Sequence, residues 1–411
     1  MSLTKQNLKN LLPSSTLLIN EICKDLTKKG KTVYQFGFGQ SPFPVPRSIV
    51  QALKDNAHQK DYLPSKGLLE LRKSISNFLK NKGYKDLNHE NIIIGPGSKE
   101  LMFLLQIAFD GEIILPVPSW VSYAPQAIIA KNKYHWIQTE KNTNWHISPE
   151  HIDKIASQIE SENKLIILNS PNNPSGTNIH LLKELGEVFT KHNFTVLSDE
   201  IYSELYFKDN YKSISHFHKN TIVSSSLSKW AGAGGWRVGY FAVPDSLIEI
   251  FEKLAVLGTE TFSAVSAPSQ FAAITAYSDD HSKYLEKVKK VLHVISHYVY
   301  EQLKLINVEM IEPEGGFYLM PDFTKLLSHK FKNSKVFCKT LLDETGVAVL
   351  PGSDFGFSQD KLIFRLSYVD FDGSKFLEAN NEEIIEKNLN KFAPKIVDGV
   401  QQIINFTKKY K

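Results

Sequence analysis

Lys229 sits in Ser226-Leu227-Ser228-Lys229, and Gly235-Trp236-Arg237-Val238-Gly239 follows closely. Most lysines of a lysine-rich chain are solvated surface charges. This one is flanked by small and apolar residues, and desolvation lowers an ammonium pKa towards neutrality. A neutral lysine amine attacks aldehydes and forms Schiff bases, the chemistry that pyridoxal phosphate requires. Ser226 lies three residues before it and Arg237 eight after. Both can reach one phosphate while the amine reaches the aldehyde carbon.

Only four arginines, Arg47, Arg72, Arg237 and Arg365, stand among 48 basic residues, so lysine carries nearly every routine positive charge. The planar guanidinium fork recognises phosphate and carboxylate bidentately, which an ammonium cannot do. Arg237 and Arg365 fall in apolar, strand-like contexts, Gly235 to Tyr240 and Leu362 to Ser367. An anion site is expected at each, phosphate at one and carboxylate at the other. Arg47 and Arg72 lie in N-terminal helical patterns, where surface pairing is the expectation.

With 411 residues the chain has room for two units with a sizeable core. The net charge of +4 comes from scattered lysines, with no basic block interleaved with aromatics, which argues against nucleic-acid binding. Cys23 and Cys338 have no metal or redox spacing and fit a reducing compartment. The apolar patch Leu17-Leu18-Ile19 is too short for a signal peptide or a membrane anchor. A cytoplasmic protein is expected.

Those groups need a scaffold. Short apolar runs alternate with amphipathic helical patterns from Asn91 to Val243: Ile92-Ile94, Ile113-Leu115, Leu165-Leu168, Thr195-Leu197, Thr221-Val223 and Val238-Val243. Such runs read as buried, mostly parallel strands with helices on both faces. Ligands of such sheets bind beyond the carboxyl ends of the strands. Polar clusters lie there, at Gly95-Ser98, Asn169-Gly176, Ser198-Glu200 and Ser224-Lys229. A long helical pattern, Asp280 to Leu305, then leads to short strands at 316–319, 347–350 and 362–367, with helices at 334–344 and 382–409. The fold class is α/β: a large unit with a mostly parallel seven-stranded sheet sandwiched by helices, and a smaller C-terminal α/β unit. The expected division is 1–45 (arm and part of the small unit), 46–290 (large unit) and 291–411 (small unit).

Several stretches together resemble the class I/II aminotransferases of pyridoxal-phosphate fold type I, the aspartate aminotransferase-like subgroup. They are Leu12-Leu17, Gly37-Gln40, Tyr62 with Gly67-Arg72, Pro118-Tyr123, Asn169-Thr177, Ser198-Tyr202, the Lys229 segment, Pro313-Tyr318 and Arg365. The resemblance implies a ping-pong transaminase in which Lys229 forms the Schiff base and moves the α-proton. It implies that Asp199 bonds the pyridine nitrogen and that Tyr202 and Asn173 bond the phenolic oxygen. Asn172-Asn173-Pro174-Ser175-Gly176 also forms a turn, and both readings of Asn173 hold together. The resemblance further implies that Trp120 and Ile201 cover the two ring faces. It implies that Ser98, the Lys99 amide, Ser226 and Arg237 form the phosphate cup, with Tyr62 arriving from the other subunit of a homodimer. It also implies that Arg365 holds the substrate α-carboxylate, assisted by the Gly39 amide.

The sequence departs from the pattern at Gln40-Ser41-Pro42 and in the glycine-rich Ala231-Gly235, which leaves the substrate open. Aspartate with 2-oxoglutarate is the expected pair, and Lys99 is the candidate to read a distal carboxylate. Lys66 is a second candidate; the alternative is that Lys99 only neutralises phosphate. An aromatic or broad-specificity aminotransferase, or a β-lyase or cyclase on the same scaffold, is the competing enzyme reading. A non-catalytic effector-sensing domain needs a DNA-binding module before Leu12, where the resemblance already begins.

Overall fold

The computed structural model describes residues 3–411. Strand β1 (Tyr34–Gln35) precedes seven strands that build the main sheet. These are β2 (Ile92–Gly95), β3 (Glu112–Val117), β4 (Tyr134–Gln138), β5 (Lys164–Asn169), β6 (Phe194–Asp199), β7 (Thr221–Ser226) and β8 (Gly239–Ala242). Their order across the sheet is β2-β8-β7-β6-β5-β3-β4. All pairs are parallel except those of β8, which runs against both its neighbours.

The apolar runs behave as fully buried strands because helices cover both faces. Ile113, Leu115, Leu165 and Ile167 enter one core cluster, while Ile114, Ile166 and Leu168 enter another. Adjacent side chains point to opposite faces of a strand, so both faces need apolar residues. The main-sheet strand missing from the sequence reading is β4. It is an edge strand in which only Ile137 is buried, so Tyr134-His135-Trp136-Ile137-Gln138 shows no apolar run.

Helix Ser282–Lys304 is continuous, with Val288, Val291, Leu292, Ile295, Val299 and Leu303 buried. The division expected at residue 290 therefore falls inside an unbroken helix. Beyond it lie β9 (Tyr318–Leu319), β10 (Val347–Ala348), β11 (Leu350–Pro351) and β12 (Phe364–Ser367). β11, β12 and β9 make a small antiparallel sheet, and β10 pairs in parallel with β1. That last pairing ties the N-terminal segment to the C-terminal unit.

Helix Ser334–Thr345 starts where Asn333 accepts from the Lys335 and Val336 amides, and Gly346 ends it at φ 76°. The helix expected over 382–409 is shorter: the continuous helix is Pro394–Tyr410, preceded by single turns. Pro394 has no N–H to donate, so it suits a first helical turn and not an interior one. Among the described residues no helix is long and apolar enough to cross a membrane.

Candidate active site

Register brings the polar strand ends together. Asn169 pairs with Asp199 across β5 and β6, and Asp199 with Ser224 across β6 and β7. These ends, the start of helix Ser98–Ala108 and the small sheet enclose a cavity of about 480 Å³. Gly39, Ser98, Lys99, Trp120, Asn173, Asp199, Ile201, Tyr202, Lys229, Arg237 and Arg365 all line it.

Asp199 is buried, and its Oδ2 accepts a 2.6 Å hydrogen bond from Tyr123 Oη. Burial pushes its carboxyl up to about 6, against the pull of Tyr123, the Ile201 amide and the Lys229 charge. A carboxyl in that setting gains from a cation above it. Lys229 Nζ donates to the Gly39 carbonyl at 2.8 Å. Gly39 is required here: a Cβ would stand 1.9 Å from Tyr318 Oη. The expected contribution of Gly39 was its amide; its carbonyl holds the lysine.

Arg365 is 1% exposed and stacks between Tyr318 and Phe355, 4.4 and 5.3 Å from their centroids. It donates to Asn173 Oδ1 at 3.0 Å and to the Gly37 carbonyl at 2.6 Å, while its buried Nε has no partner. Burial lowers its pKa. Arg237 adopts φ 56° and donates to the carbonyls of Gly234 and Pro96, both at 2.9 Å. A Cβ on Gly97 would come within 2.0 Å of that guanidinium, so only glycine lets it lie against the start of helix Ser98–Ala108. Among the described residues neither Arg237 nor Arg365 hydrogen-bonds a carboxylate. Each is a cation at the wall of one cavity, and Arg365 feels the Asp354 charge only at longer range.

Tyr202 Oη donates to Tyr318 Oη at 3.0 Å. Burial acts to raise the Tyr318 pKa, but the charges of Lys229 and Arg365 and the Tyr202 hydrogen bond hold it below the usual value. Tyr202 moves the other way, raised by burial and by Tyr318.

Three expected residues stand apart. Ser226 is wholly buried, its Oγ accepts from the Ser228 amide at 3.2 Å, and Ser228 takes its place in the cavity lining. Tyr62 is 92% exposed and lines no part of this cavity. Lys66 lies over the Phe251 ring at 4.6 Å and is absent from the lining. Arg72, expected at the surface, is buried and donates to the carbonyls of Gly67 and His89.

Tyr123, Tyr318 and Asn169 were missed as individual site residues. Asn169 Oδ1 accepts from the Asn173 amide at 2.6 Å, and its Nδ2 donates to the Asp199 carbonyl at 2.8 Å. All three fall within stretches that carry the resemblance, but a tyrosine in an apolar run reads as core. Thr16 and Leu17 also reach the cavity, and their position depends on a helix whose docking the sequence does not reveal.

A family model described as aminotransferase class I and II matches residues 31–374. The chain belongs to that family. The aspartate aminotransferase of Bacillus subtilis (strain 168) is 33% identical over 87% of this chain and 92% of its own length. An asparagine--oxo-acid transaminase of Streptococcus mutans is 30% identical over 86% of this chain and 92% of its own. The crystal structure of an aspartate aminotransferase from Thermotoga maritima superposes with a TM-score of 0.82, covering 98% of this chain and 100% of that one at 26% identity.

The protein is therefore a pyridoxal-phosphate-dependent aminotransferase of fold type I. The cavity fits the cofactor's chemistry group by group. An amine (Lys229), a buried carboxyl (Asp199) and a guanidinium beside a helix start (Arg237) line one space. They suit an aldehyde, a cationic ring nitrogen and a phosphate respectively. When bound, pyridoxal phosphate supplies the aldehyde and an electron sink for the substrate's α-carbon.

Proposed function

We propose that this aminotransferase exchanges the amino group between aspartate and 2-oxoglutarate in ping-pong order. Lys229 Nζ would take the substrate's α-proton and return it on the other side of the transfer. Asp199, oriented by Tyr123, would keep a cationic ring nitrogen protonated, since an anion at that point favours the charged form. Asn173 and Tyr202 would hold the phenolic oxygen, and Trp120 and Ile201 the ring faces. Ser98, the Lys99 amide and Arg237 would hold the phosphate, with Ser226 supporting the loop through Ser228. Arg365 would hold the α-carboxylate bidentately.

The observation that carries the aspartate reading is Lys99. Its Nζ stands 5.4 Å from the Trp120 ring centroid, at the cavity wall. Partial burial, then the Arg237 charge, lowers its pKa, so a second substrate carboxylate would relieve it. Relatives named aspartate aminotransferase support the same reading. Tyr62, exposed here, would complete the phosphate cup of a second copy in a homodimer. Buried, unpaired Cys23 and Cys338 support a reducing compartment, and we place the enzyme in the cytoplasm. We also assign the described part of 1–45 to an N-terminal arm and part of the small unit, a reading that the β1–β10 pairing supports.

The test is a donor panel against 2-oxoglutarate. Lys99→Ala should lower kcat/KM for aspartate about tenfold or more, the size of a lost charged hydrogen bond, and barely affect alanine or phenylalanine. Equal losses for all three donors would favour an aromatic or broad-specificity enzyme.

A further inference from the structure

The segment between β4 and the helix Pro149–Ala156 holds both ends of one active-site hydrogen bond. On one side, the Asn144 carbonyl accepts from Thr177 Oγ1 at 2.6 Å, and His146 Nε2 lies 3.1 Å from the same hydroxyl. Thr177 in turn meets Ser175, which donates to Asn172. That fixes the loop bearing Asn173, whose Oδ1 accepts from Arg365.

On the other side, Lys141 Nζ reaches across to the small-sheet unit. It lies 2.8 Å from Asp322 Oδ2 and pairs with Glu309, which also pairs with Lys325. Asp322 bridges to Ile363, two residues before Arg365 on the segment that becomes β12. Beneath these charges, Val117 and Trp145 pack with Met320, Phe357 and Ile363 in a small shared core. The Trp145 and Phe357 rings meet edge to face at 5.1 Å. The charges are strongly engaged: the Lys141 and Lys325 hydrogen bonds pull the Glu309 carboxyl down to about 2. Asp322 is 13% exposed and Lys141 32%, so water screens this pair less than an open surface pair.

We infer that Lys141 is a positioning residue for transamination: by docking Asp322 and Glu309 it sets the distance between the Arg365 strand and the loop that carries Asn173. It touches neither substrate nor cofactor. Its effect passes to whatever carboxylate Arg365 receives, so the inference rests on the assignment of Arg365 to the substrate α-carboxylate. Without the lysine charge, Asp322 loses its ion pair and Glu309 keeps Lys325, while the small sheet stays joined to the main sheet by the shared apolar core and by hydrogen bonds such as those from the Glu314 and Gly315 amides to the Gly176 carbonyl. One of the contacts that set the guanidinium's approach to Asn173 is then lost, and a bidentate contact is the kind that suffers most from a small shift.

The experiment compares holoenzymes carrying Lys141→Met, Lys141→Arg and Asp322→Asn, with Arg365→Lys as reference. Lys141→Met should raise KM about fivefold for aspartate, for alanine and for 2-oxoglutarate alike, the range of a partly buried ion-pair network. kcat and the cofactor's dissociation constant should stay within twofold. Lys141→Arg, which keeps a cation with several donors, should restore KM. Asp322→Asn should match Lys141→Met, and the double variant should be no worse than either, which also covers failure of one variant to fold. Unchanged KM in Lys141→Met, alongside a raised KM in Arg365→Lys, overturns the inference while leaving the Arg365 assignment intact. A kcat loss that Lys141→Arg does not rescue also overturns it. Unchanged KM in Arg365→Lys defeats the Arg365 assignment itself.

Discussion

Arg237 and Arg365 are two guanidiniums on the wall of one cavity, neither hydrogen-bonded to a carboxylate, yet they are built differently. Arg365 is 1% exposed, stacked between two aromatic rings and tied to an asparagine and a carbonyl. Arg237 is an exposed residue in a left-handed turn, bonded to two carbonyls beside a helix start. A phosphate at Arg237 would be shared with the start of helix Ser98–Ala108 and with Lys99, which line the same cavity. Among the described residues no second cation of the small sheet lines the cavity beside Arg365; Lys229, which also acts on Tyr318, lines it from the main sheet's side. A single cation must be dehydrated and rigid to bind strongly, because attraction grows as the dielectric falls. A site with several donors tolerates water. With the proposed roles, the group at Arg237 would be held by many weak contacts and the one at Arg365 gripped by a single strong one.

Lys229 stands between these two sites in function, and its removal has the largest expected effect. Lys229→Ala should cut turnover by about 10⁴-fold or more, since both the nucleophile and the proton carrier are lost. Borohydride should then fail to fix label on the protein. Near-normal turnover would break the whole comparison, because neither anion site would then serve the assumed chemistry.

The next effect concerns the carboxyl beneath the cavity. In the folded apoprotein Asp199 titrates at about 6, above its unfolded value of about 3.9. The folded state therefore binds that proton more tightly. The stability it contributes is full below about pH 4 and is lost as pH rises through about 6. Denaturant unfolding of the apoprotein should show wild type losing up to about 3 kcal/mol relative to Asp199→Asn across that window. A gap that does not change with pH would mean that Asp199 is ionised without a cation above it.

Arg365→Lys sharpens the comparison directly. It should weaken amino-acid and oxo-acid binding by about 1.5–3 kcal/mol, a charged hydrogen bond lost at a buried site. The cofactor's dissociation constant should not follow. KM values and an absorbance titration with pyridoxal phosphate separate the two.

The sequence carried most of this site because its groups sit at strand ends, where chemistry-bearing residues interrupt apolar runs. Asp199 and Lys229 are legible for that reason, and so is the α/β class. Arg365 was visible through the rarity of arginine. Ser226 was placed correctly in sequence but not in space: being three residues before Lys229 does not say which serine faces the cavity. β4 was invisible because an edge strand has no need of an apolar run. The Lys141 pairs join residues 168 and 181 positions apart, and no local pattern announces them. Tyr123 lies inside a recognised stretch, yet its bond to Asp199 spans 76 positions.

Arg237→Lys is the smallest change and the most discriminating. If the exposed site works by many contacts, then replacing its fork with an ammonium leaves the helix start, Ser98 and Lys99 in place. The loss in cofactor affinity should be about 1–1.5 kcal/mol, near the lower bound for a charged hydrogen bond. KM for amino and oxo acids should be unaffected once the cofactor is saturating. Raising ionic strength should also weaken cofactor binding more than α-carboxylate binding, because salt screens the exposed site and not the buried one. A loss at Arg237 equal to that at Arg365, insensitive to salt, would show that the phosphate cup relies on one dehydrated guanidinium too. Finding the two effects exchanged would place phosphate at Arg365 and carboxylate at Arg237.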